Sequence, residues 1–271
     1  MAGKEVVILG SGDIGLIMAR RMTLEGAHVQ AVCELMPYSN GLVRNIVQCL
    51  DDYDIPLKLS HTITFIHGKD RIEGVTVMQV GDDRKPIPGT EEFIPCDTLL
   101  LSVGLIPENE ISRNAGVDID GRTSGPVVGE LRETSMPGVF ACGNVVHVHD
   151  LVDFVSEESV LAGKGAAKYI KGELSTETNF DTVNGEGISY VVPQHVSLAN
   201  MDDALTFYMR VRNVYADSVV NAYINGEKIA TKKARKFLPA EMVNFNIKKE
   251  VLEKYPNGKI EFIVEPKEAK K

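Results

Sequence analysis

The sequence predicts an α/β chain in which a doubly wound parallel sheet is followed by a small antiparallel β-sandwich. Through residue 105, short and wholly apolar runs alternate with segments of helical spacing, as expected of parallel strands buried on both faces. Residues 106–136 are rich in glycine and proline and precede a long helical pattern over 151–171. In residues 186–271, six segments of alternating polarity are separated by turn signals such as Asn225-Gly226, which is typical of antiparallel strands.

Local signals bound the predicted elements. Gly26 closes the first helix, and Gly172 closes the long one, for which Asp150 and Asp153 are the predicted N-terminal caps. The polar stretch 173–185 predicts a linker. The predicted helices cover residues 14–25, 41–53 and 151–171. The predicted strands are Val6–Leu9, Val29–Val32, Thr62–His67, Val75–Val80, Thr98–Val103, Val139–Ala141, Ser189–Val192, Leu205–Val211, Ser218–Ile224, Lys228–Lys233, Met242–Ile247 and Lys259–Val264.

The composition is that of a globular protein with an acidic surface. Of 271 residues, 44% are hydrophobic and 25% are charged, and the formal net charge is −9. That charge argues against nucleic acid or an anionic membrane as the main partner. A signal peptide and an apolar stretch of roughly 20 residues are both missing, so we expect a cytoplasmic protein. The cysteines form no CxxC pair and are expected to be buried, unreactive thiols: Cys33, Cys49, Cys96 and Cys142.

A glycine motif directly follows the first predicted strand. The motif reads G-S-G-D-I-G and comprises Gly10, Ser11, Gly12, Asp13, Ile14 and Gly15. Gly10 permits a tight turn, Gly12 permits a pyrophosphate to approach the backbone, and Gly15 permits close packing of the helix on the sheet. Because a strand precedes the motif and a helix follows it, the segment is predicted to bind a dinucleotide.

Glu34 distinguishes between two dinucleotides. It ends the second predicted strand, where a carboxylate can accept hydrogen bonds from both hydroxyls of the adenosine ribose and would repel a 2′-phosphate. The next nine residues contain no arginine or lysine. The sequence therefore predicts NAD(H) rather than NADP(H).

Two further motifs carry a resemblance to a known family. Thr98–Asn109 reads T-L-L-L-S-V-G-L-I-P-E-N, and Thr134–Asn144 reads T-S-M-P-G-V-F-A-C-G-N. With the glycine motif, they resemble the two-dinucleotide-domain flavoproteins of the pyridine nucleotide-disulfide oxidoreductase superfamily. The resemblance, which extends over residues 4–172, implies a Rossmann-like NAD-binding domain over 1–105 and the returning half of an FAD-binding domain over 106–175. The alternating segments described above predict a separate β-sandwich domain over 186–271.

The resemblance also implies cofactors and an activity. The cofactors are NAD(H) and FAD, and the additional predicted contact residues are Val103, Gly104, Gly143, Asn144 and Val155. Asn144 replaces the usual aspartate of the third motif, so it can still hydrogen-bond a ribityl hydroxyl but brings no charge. Because the chain has no CxxC pair, disulfide reduction is not expected. The segment His147–Ser159 resembles a subgroup that contains the small flavoprotein subunits of opine oxidases and hydrogen cyanide synthase.

That subgroup implies a multi-component dehydrogenase. Electrons would pass between this chain and a second flavoprotein subunit that oxidises an amino acid, an opine or a glycerol-phosphate-like substrate. Two alternatives remain open. One is a non-catalytic nucleotide-binding module that docks partners through its sandwich and holds no flavin. The other is a free-standing NAD dehydrogenase that uses His147 or His149 for acid–base chemistry.

His147, His149 and Asp150 offer potential metal ligands within four residues. Such closely spaced ligands need distant partners to complete a site, so no metal is predicted. The histidines are instead expected near the cofactor, as candidates for proton transfer. Asp150 is expected to cap the following helix.

By the same resemblance, the first half of the flavin site is absent from the sequence. The long helix would then expose an apolar face that needs a partner. Its residues are Leu151, Val152, Phe154, Val155, Val160, Leu161 and Ala166. The sequence leaves three explanations open: a truncated form of a longer protein, a split protein whose FAD half is a separate chain, or a homodimer.

Overall fold

The computed structural model describes residues 3–39 and 41–267, which fall into two compact units, Met1–Leu105 and Ile106–Lys271. The predicted FAD-returning and sandwich segments both lie in the second unit. The first unit has strands β1 (Glu5–Leu9), β2 (His28–Glu34), β3 (Leu57–Leu59), β4 (His61–His67), β5 (Gly74–Gln79), β6 (Glu92–Pro95) and β7 (Thr98–Leu101). Its helices are α1 (Asp13–Leu24) and α2 (Val43–Cys49), and a 3₁₀ turn covers Asp51–Tyr53.

Four strands of the first unit form a parallel sheet in the order β3-β2-β1-β7. The central strand β1 is buried on both faces, as its wholly apolar sequence predicts. On one face Val6 and Ile8 pack with Leu16 and Ala19 of α1. The carboxyl end of β1 therefore meets the amino end of α1 at the glycine motif.

The opposite face of this sheet is covered by strands instead of a helix. Strands β4, β5 and β6 form a separate antiparallel sheet. Val75 and Val77 of β5 pack against Val7, Ala31 and Cys33. The α/β class is confirmed, but the expectation that alternation of strand and helix continues to residue 105 is wrong, because short apolar runs suit either type of sheet.

The second unit contains two short helices, one long helix and ten strands within the described residues. The helices are α3 (Glu110–Asn114), α4 (Val152–Lys171) and α5 (Lys249–Leu252). The strands are β8 (Phe180–Asn184), β9 (Ile188–Val192), β10 (His195–Val196), β11 (Ala204–Val211), β12 (Tyr215–Ala216), β13 (Ser218–Ile224), β14 (Glu227–Lys233), β15 (Lys236–Phe237), β16 (Val243–Lys248) and β17 (Gly258–Pro266). Two 3₁₀ turns cover Gly143–Val145 and Leu198–Asn200.

The C-terminal strands form the sandwich. One sheet has the order β10-β8-β17-β13-β14 and the other the order β16-β11-β9. Between them lies an aromatic and aliphatic core in which Phe207, Phe245 and Phe262 are in contact. The alternation along β11 and β16 places these apolar side chains on the inner faces.

Two local predictions in this unit are wrong. The predicted linker contains β8, which pairs in parallel with β17, so the sandwich is not wholly antiparallel. The predicted strand Val139–Ala141 is reduced to an isolated bridge between Phe140 and Glu133. Strand β8 forms because the edge of β17, remote in sequence, offers it a partner, whereas Phe140 makes a single bridge with the nearby Glu133.

Helix α4 ends at Gly172, as predicted, because this residue takes the left-handed conformation with φ +70°. Its apolar residues are divided between two environments. Phe154 packs edge-on against Tyr208 of the sandwich, whereas Leu151, Val152 and Val160 are exposed. The sandwich therefore covers part of the face that was expected to be wholly exposed.

Candidate functional site

A cleft of about 390 Å³ lies at the carboxyl ends of β1, β2 and β7 in the first unit. This edge is where ligands bind in doubly wound sheets. The cleft is lined by Leu9, Gly10, Gly12, Glu34, Leu35, Met36, Thr62, Ser102, Val103 and Gly104. Glu34 is the only charged residue in this lining.

The three motif glycines meet different surroundings. A Cβ on Gly10, whose φ is +103°, would lie 2.0 Å from the Ser102 carbonyl oxygen. A Cβ on Gly15 would lie 2.3 Å from the Gly10 carbonyl oxygen. A Cβ on Gly12 would have no neighbour within 4 Å. Gly10 and Gly15 are therefore required by the fold, whereas the open space at Gly12 suits a ligand phosphate.

The Glu34 carboxylate is held in a fixed orientation. The residue is only 5% exposed. Its Oε2 accepts hydrogen bonds from the Ser11 amide at 3.0 Å and the Ser11 hydroxyl at 2.6 Å. Its Oε1 accepts one from the Met36 amide at 3.0 Å. Because a carboxylate can accept about four hydrogen bonds, Glu34 can accept a further one from a ligand in the cleft.

The other predicted NAD(H) contacts are distributed unevenly. Val103 and Gly104 line the cleft. Asp13 instead accepts hydrogen bonds from the Leu42 amide and the Asn45 side chain, which ties α1 to α2. Ile14 is 69% exposed. The contact of each with a dinucleotide remains a prediction.

In the second unit, the turn at Gly143 and Asn144 lies beside α4. The Gly143 amide donates a 2.6 Å hydrogen bond to Glu158 Oε2, and its φ is +75°. Val155 is so close that a Cβ on Gly143 would lie 3.0 Å from its Cγ1. The Asn144 Oδ1 accepts the His149 amide hydrogen at 3.1 Å, so its side-chain NH₂ is the group that can donate to a ligand.

Four buried side chains form what we call the Glu158 cluster: Arg132, His147, His149 and Glu158. Arg132 Nε lies 2.7 Å from Glu158 Oε1, and both side chains are fully buried. His147 Nε2 lies 3.3 Å from the same oxygen. His149 Nε2 lies 3.0 Å from Glu158 Oε2. With the Gly143 amide, the carboxylate thus has four hydrogen-bond donors.

The cluster is electrostatically balanced. Burial alone would raise the pKa of Glu158, but hydrogen bonds from both histidines and the charge of Arg132 hold this pKa well below its ordinary value. An ionised carboxylate can only accept, so each histidine presents Nε2–H to it. Burial lowers the pKa of His147, although Glu158 partly opposes that shift. The cluster therefore consists of one ion pair and a neutral His147 at physiological pH.

The geometry also brings together possible metal ligands. His147, His149 and Glu158 offer ligand atoms within 4.8 Å of one another. However, the Arg132 guanidinium already neutralises Glu158, and a divalent cation would add uncompensated charge to a buried site. Among the described residues, Nδ1 of both histidines and Nη2 of Arg132 have no hydrogen-bond partner. Charge compensation at this buried site therefore favours a hydrogen-bonded ion pair over a set of metal ligands. The absence of a metal remains a prediction.

The expected cap of α4 by Asp150 is wrong. The residue that caps this helix is Leu151, without a side-chain hydrogen bond. The Asp150 carboxylate instead accepts hydrogen bonds from Arg210 of β11 and the Met242 amide. Arg210 also donates to the Val148 carbonyl at 3.1 Å. Asp150 therefore binds the loop that carries His147 and His149 to the sandwich. Its charge-assisted hydrogen bond to Arg210 is stronger than a hydrogen bond to a neutral backbone amide at the helix end would be.

The thiols occupy unreactive sites in the first unit. Burial raises the pKa of Cys33 to about 11 and also raises the pKa values of Cys49 and Cys96. All four cysteines are free, and Cys142 is half-buried. The prediction of buried thiols holds for the first three.

The sequence did not point to Arg132 or Glu158. One signal was present: Glu158 shares a helix face with Phe154, Leu161 and Gly165, so it places a charge on a face that is otherwise apolar or small. Arg132 has a different signal, which only the backbone provides. Its φ is +69°, in the left-handed region that a long side chain rarely adopts.

Stability should fall as the pH decreases from 7 to 5, in part because of His147. Its folded-state pKa is lowered, so below about pH 6.5 the unfolded chain binds a proton that the folded chain excludes. The contribution is at most about 1.4 kcal/mol per pH unit. The free energy of unfolding, measured with denaturant at several pH values in this range, should change less steeply with pH for His147→Gln than for the parent. Equal slopes would contradict the assignment of a neutral, buried His147.

Comparison with known proteins identifies the family. A model of the pyridine nucleotide-disulphide oxidoreductase family matches residues 1–166. The chain belongs to this family. Members of the family use FAD and NAD(P)H as cofactors and are oxidoreductases. The matched region contains the cleft and the Glu158 cluster, and the strands of the sandwich all lie outside it.

Individual relatives support the family assignment over part of their length. An NADH oxidase from Methanocaldococcus jannaschii is 30% identical over 178 residues, which are 64% of this chain and 36% of the relative. The small chain of NADPH-dependent glutamate synthase from Escherichia coli is 26% identical, over 63% of this chain and 40% of the relative. The solved thioredoxin reductase of T. acidophilum is 29% identical with a TM-score of 0.53, over 62% of this chain and 53% of that chain. The chain thus aligns with about half or less of each relative.

The described residues include no helix with the length and apolar character needed to cross a membrane. The predicted cytoplasmic location remains a prediction.

Proposed function

We propose that this chain is the NAD(H)-binding part of a flavoprotein oxidoreductase and contributes part of its FAD site. The observation that carries the proposal is the cleft, where Gly12 leaves room for a pyrophosphate and Glu34 is held beside it. Family membership supplies the reaction class, hydride exchange between a nicotinamide and a flavin. The contributions of this chain are binding and orientation.

The lining favours NAD(H) over NADP(H). Glu34 is fixed by Ser11 and Met36, so its remaining acceptor capacity is preorganised for ribose hydroxyls. No lysine or arginine of the described chain lines this cleft to neutralise a 2′-phosphate. A phosphate placed beside Glu34 would meet a like charge.

Residues of the second unit suit the flavin. Asn144 is exposed and has a side-chain donor for a ribityl hydroxyl, and Gly143 and Val155 set the turn beside it. The first turn of α4 has no side-chain cap, so its amides can interact with an electron-rich group. His147 and His149 are engaged with Glu158 and are nearly fully buried, which supports an orienting role over proton transfer to a substrate.

The outer face of α4 supports the proposal of a protein partner. Val152, Val160 and Ile170 are 74%, 59% and 84% exposed along this 20-residue helix. We assign this face to an FAD-binding half or to a second flavoprotein subunit of a multi-component dehydrogenase. A homodimer is the alternative, and sedimentation of the purified chain separates the two, because a monomer would contradict the homodimer.

The dinucleotide assignment can be tested with Glu34→Gln. We expect its affinity for NADH to fall by about tenfold, because a charged acceptor for the ribose is lost, and its preference to shift towards NADPH. Calorimetric titration of the full chain with each dinucleotide measures both changes. Glu25→Gln is the matched control, since this carboxylate is exposed at the end of α1. Failure of the parent chain to bind either dinucleotide at millimolar concentration would contradict the proposal.

The flavin assignment has a separate test. Adding FAD to the purified chain, then removing unbound FAD, should leave a protein that absorbs at about 450 nm, as bound flavins do. A colourless protein that binds NADH would favour a nucleotide-binding module without flavin.

A further inference from the structure

The sandwich reaches the predicted flavin turn by two routes. The first is aromatic. Tyr208 of β11 is nearly fully buried, and its ring centroid lies 5.7 Å from that of His147 and 5.6 Å from that of His149. The guanidinium of Arg132 lies over the same ring at 6.0 Å. One sandwich residue thus contacts three of the four members of the Glu158 cluster.

The second route is polar. Arg210, two residues further along β11 and on the same face of the strand, bonds to the Val148 carbonyl and to Asp150. Its other nitrogen donates to the Ala240 carbonyl. Arg210 therefore fastens the backbone between the two histidines to the sandwich.

The Glu158 cluster connects these contacts with the turn at Gly143 and Asn144. Glu158 accepts the Gly143 amide at 2.6 Å, and His149 donates its own amide to Asn144. Arg132 keeps a left-handed backbone that is unfavourable for a non-glycine residue, and its buried side chain is the charge partner of Glu158. Strain of this kind persists where the surroundings over-determine the conformation.

We propose that the C-terminal sandwich is a positioning domain for the flavin-facing turn, and that Tyr208 and Arg210 act on Gly143 and Asn144 through the Glu158 cluster. The proposal rests on the proposed FAD site. It assigns a role to the sandwich, which lies outside the family match. Phe154 of α4 packs against the same Tyr208 ring, which adds an apolar contact between this helix and the sandwich.

The test uses the full chain with Arg210→Gln, which removes the charged link to the histidine loop. Amide hydrogen exchange in residues 143–149 should become about tenfold faster, because a charge-assisted hydrogen bond to this loop is lost. FAD affinity, measured by quenching of flavin fluorescence, should fall by about tenfold, since the turn is no longer preorganised. NADH affinity, which depends on the first unit, should not change. Exchange in β13 and β17 should also remain at the level of the parent.

Two further variants keep the result interpretable. Arg212→Gln is the matched control, because Arg212 is exposed and its Nε donates to the Ile188 carbonyl within the sandwich. Tyr208→Phe keeps the ring and should behave like the parent. Unchanged exchange and FAD affinity in Arg210→Gln would overturn the proposal, as would a uniform rise in exchange across the sandwich. If the parent binds no FAD, the proposed flavin site fails, and the exchange experiment alone still decides whether Arg210 holds the turn.

Discussion

Gly12→Ala is expected to lower the affinity for NADH by at least about tenfold while the midpoint of thermal unfolding stays unchanged. A Cβ at this position meets no protein atom within 4 Å. The backbone of Gly12 has φ −65° and ψ 168°, which alanine adopts without strain. The added methyl group would therefore disturb only a ligand that approaches the backbone. Calorimetric titration with NADH and thermal melts of both proteins measure the two effects.

Gly15→Ala provides the contrasting variant. Its Cβ would lie 2.3 Å from the Gly10 carbonyl oxygen, so α1 would have to move away from β1. We expect this variant to lose affinity for NADH and also stability. The loss of stability should be roughly 1–3 kcal/mol, as for an overpacked contact. If Gly12→Ala bound NADH as tightly as the parent, the cleft beside β1 would not be the pyrophosphate site.

Arg132→Met is expected to destabilise the second unit by about 3–5 kcal/mol. The methionine fills the space of the arginine but leaves the buried Glu158 without its cation. Hydrogen bonds from His147, His149 and the Gly143 amide remain, but none of these groups is a permanent cation like the guanidinium. Denaturant unfolding at pH 7, with a probe in the sandwich, measures the loss.

The double variant Arg132→Met/Glu158→Gln should recover more than half of that loss. Removal of both charges eliminates the unpaired ion, and glutamine can still accept the Gly143 amide. Lys164→Met is the control, because its exposed ion pair with Asp202 should contribute less than about 1 kcal/mol. A double variant as unstable as the single one would mean that the ion pair is not the reason for the loss.

The glycine motif and the acidic residue of the proposed nucleotide cleft could be recognised in the sequence because they are close together along the chain. Strand β1, the glycine motif and α1 are contiguous, and Glu34 ends the next strand. The Ser102 carbonyl oxygen that excludes a side chain from Gly10 is remote in sequence and is identified only in the fold, but the glycine spacing itself is a local pattern. The same locality explains why Gly172 was correctly identified as the end of α4.

Elements whose identity depends on remote pairing were predicted less well. Strand β8 lies in a polar segment and forms because β17, nearly eighty residues later, offers a parallel edge. Strands β4 and β5 were recognised as strands. Their packing as a separate sheet over Val7 and Ala31 could not be read from their periodicity.

The sequence by itself determined the α/β class, the dinucleotide motif with its acidic residue, and the family, since each depends on residue types at short and regular spacings. Only the tertiary structure decided that Asp150 binds Arg210 and that Glu158 joins Arg132, His147 and His149. Arg132 precedes Glu158 by 26 residues, and Tyr208 lies on a strand of the sandwich. A buried charge is stable only beside a partner, and that partner is known only when the chain has folded back on itself.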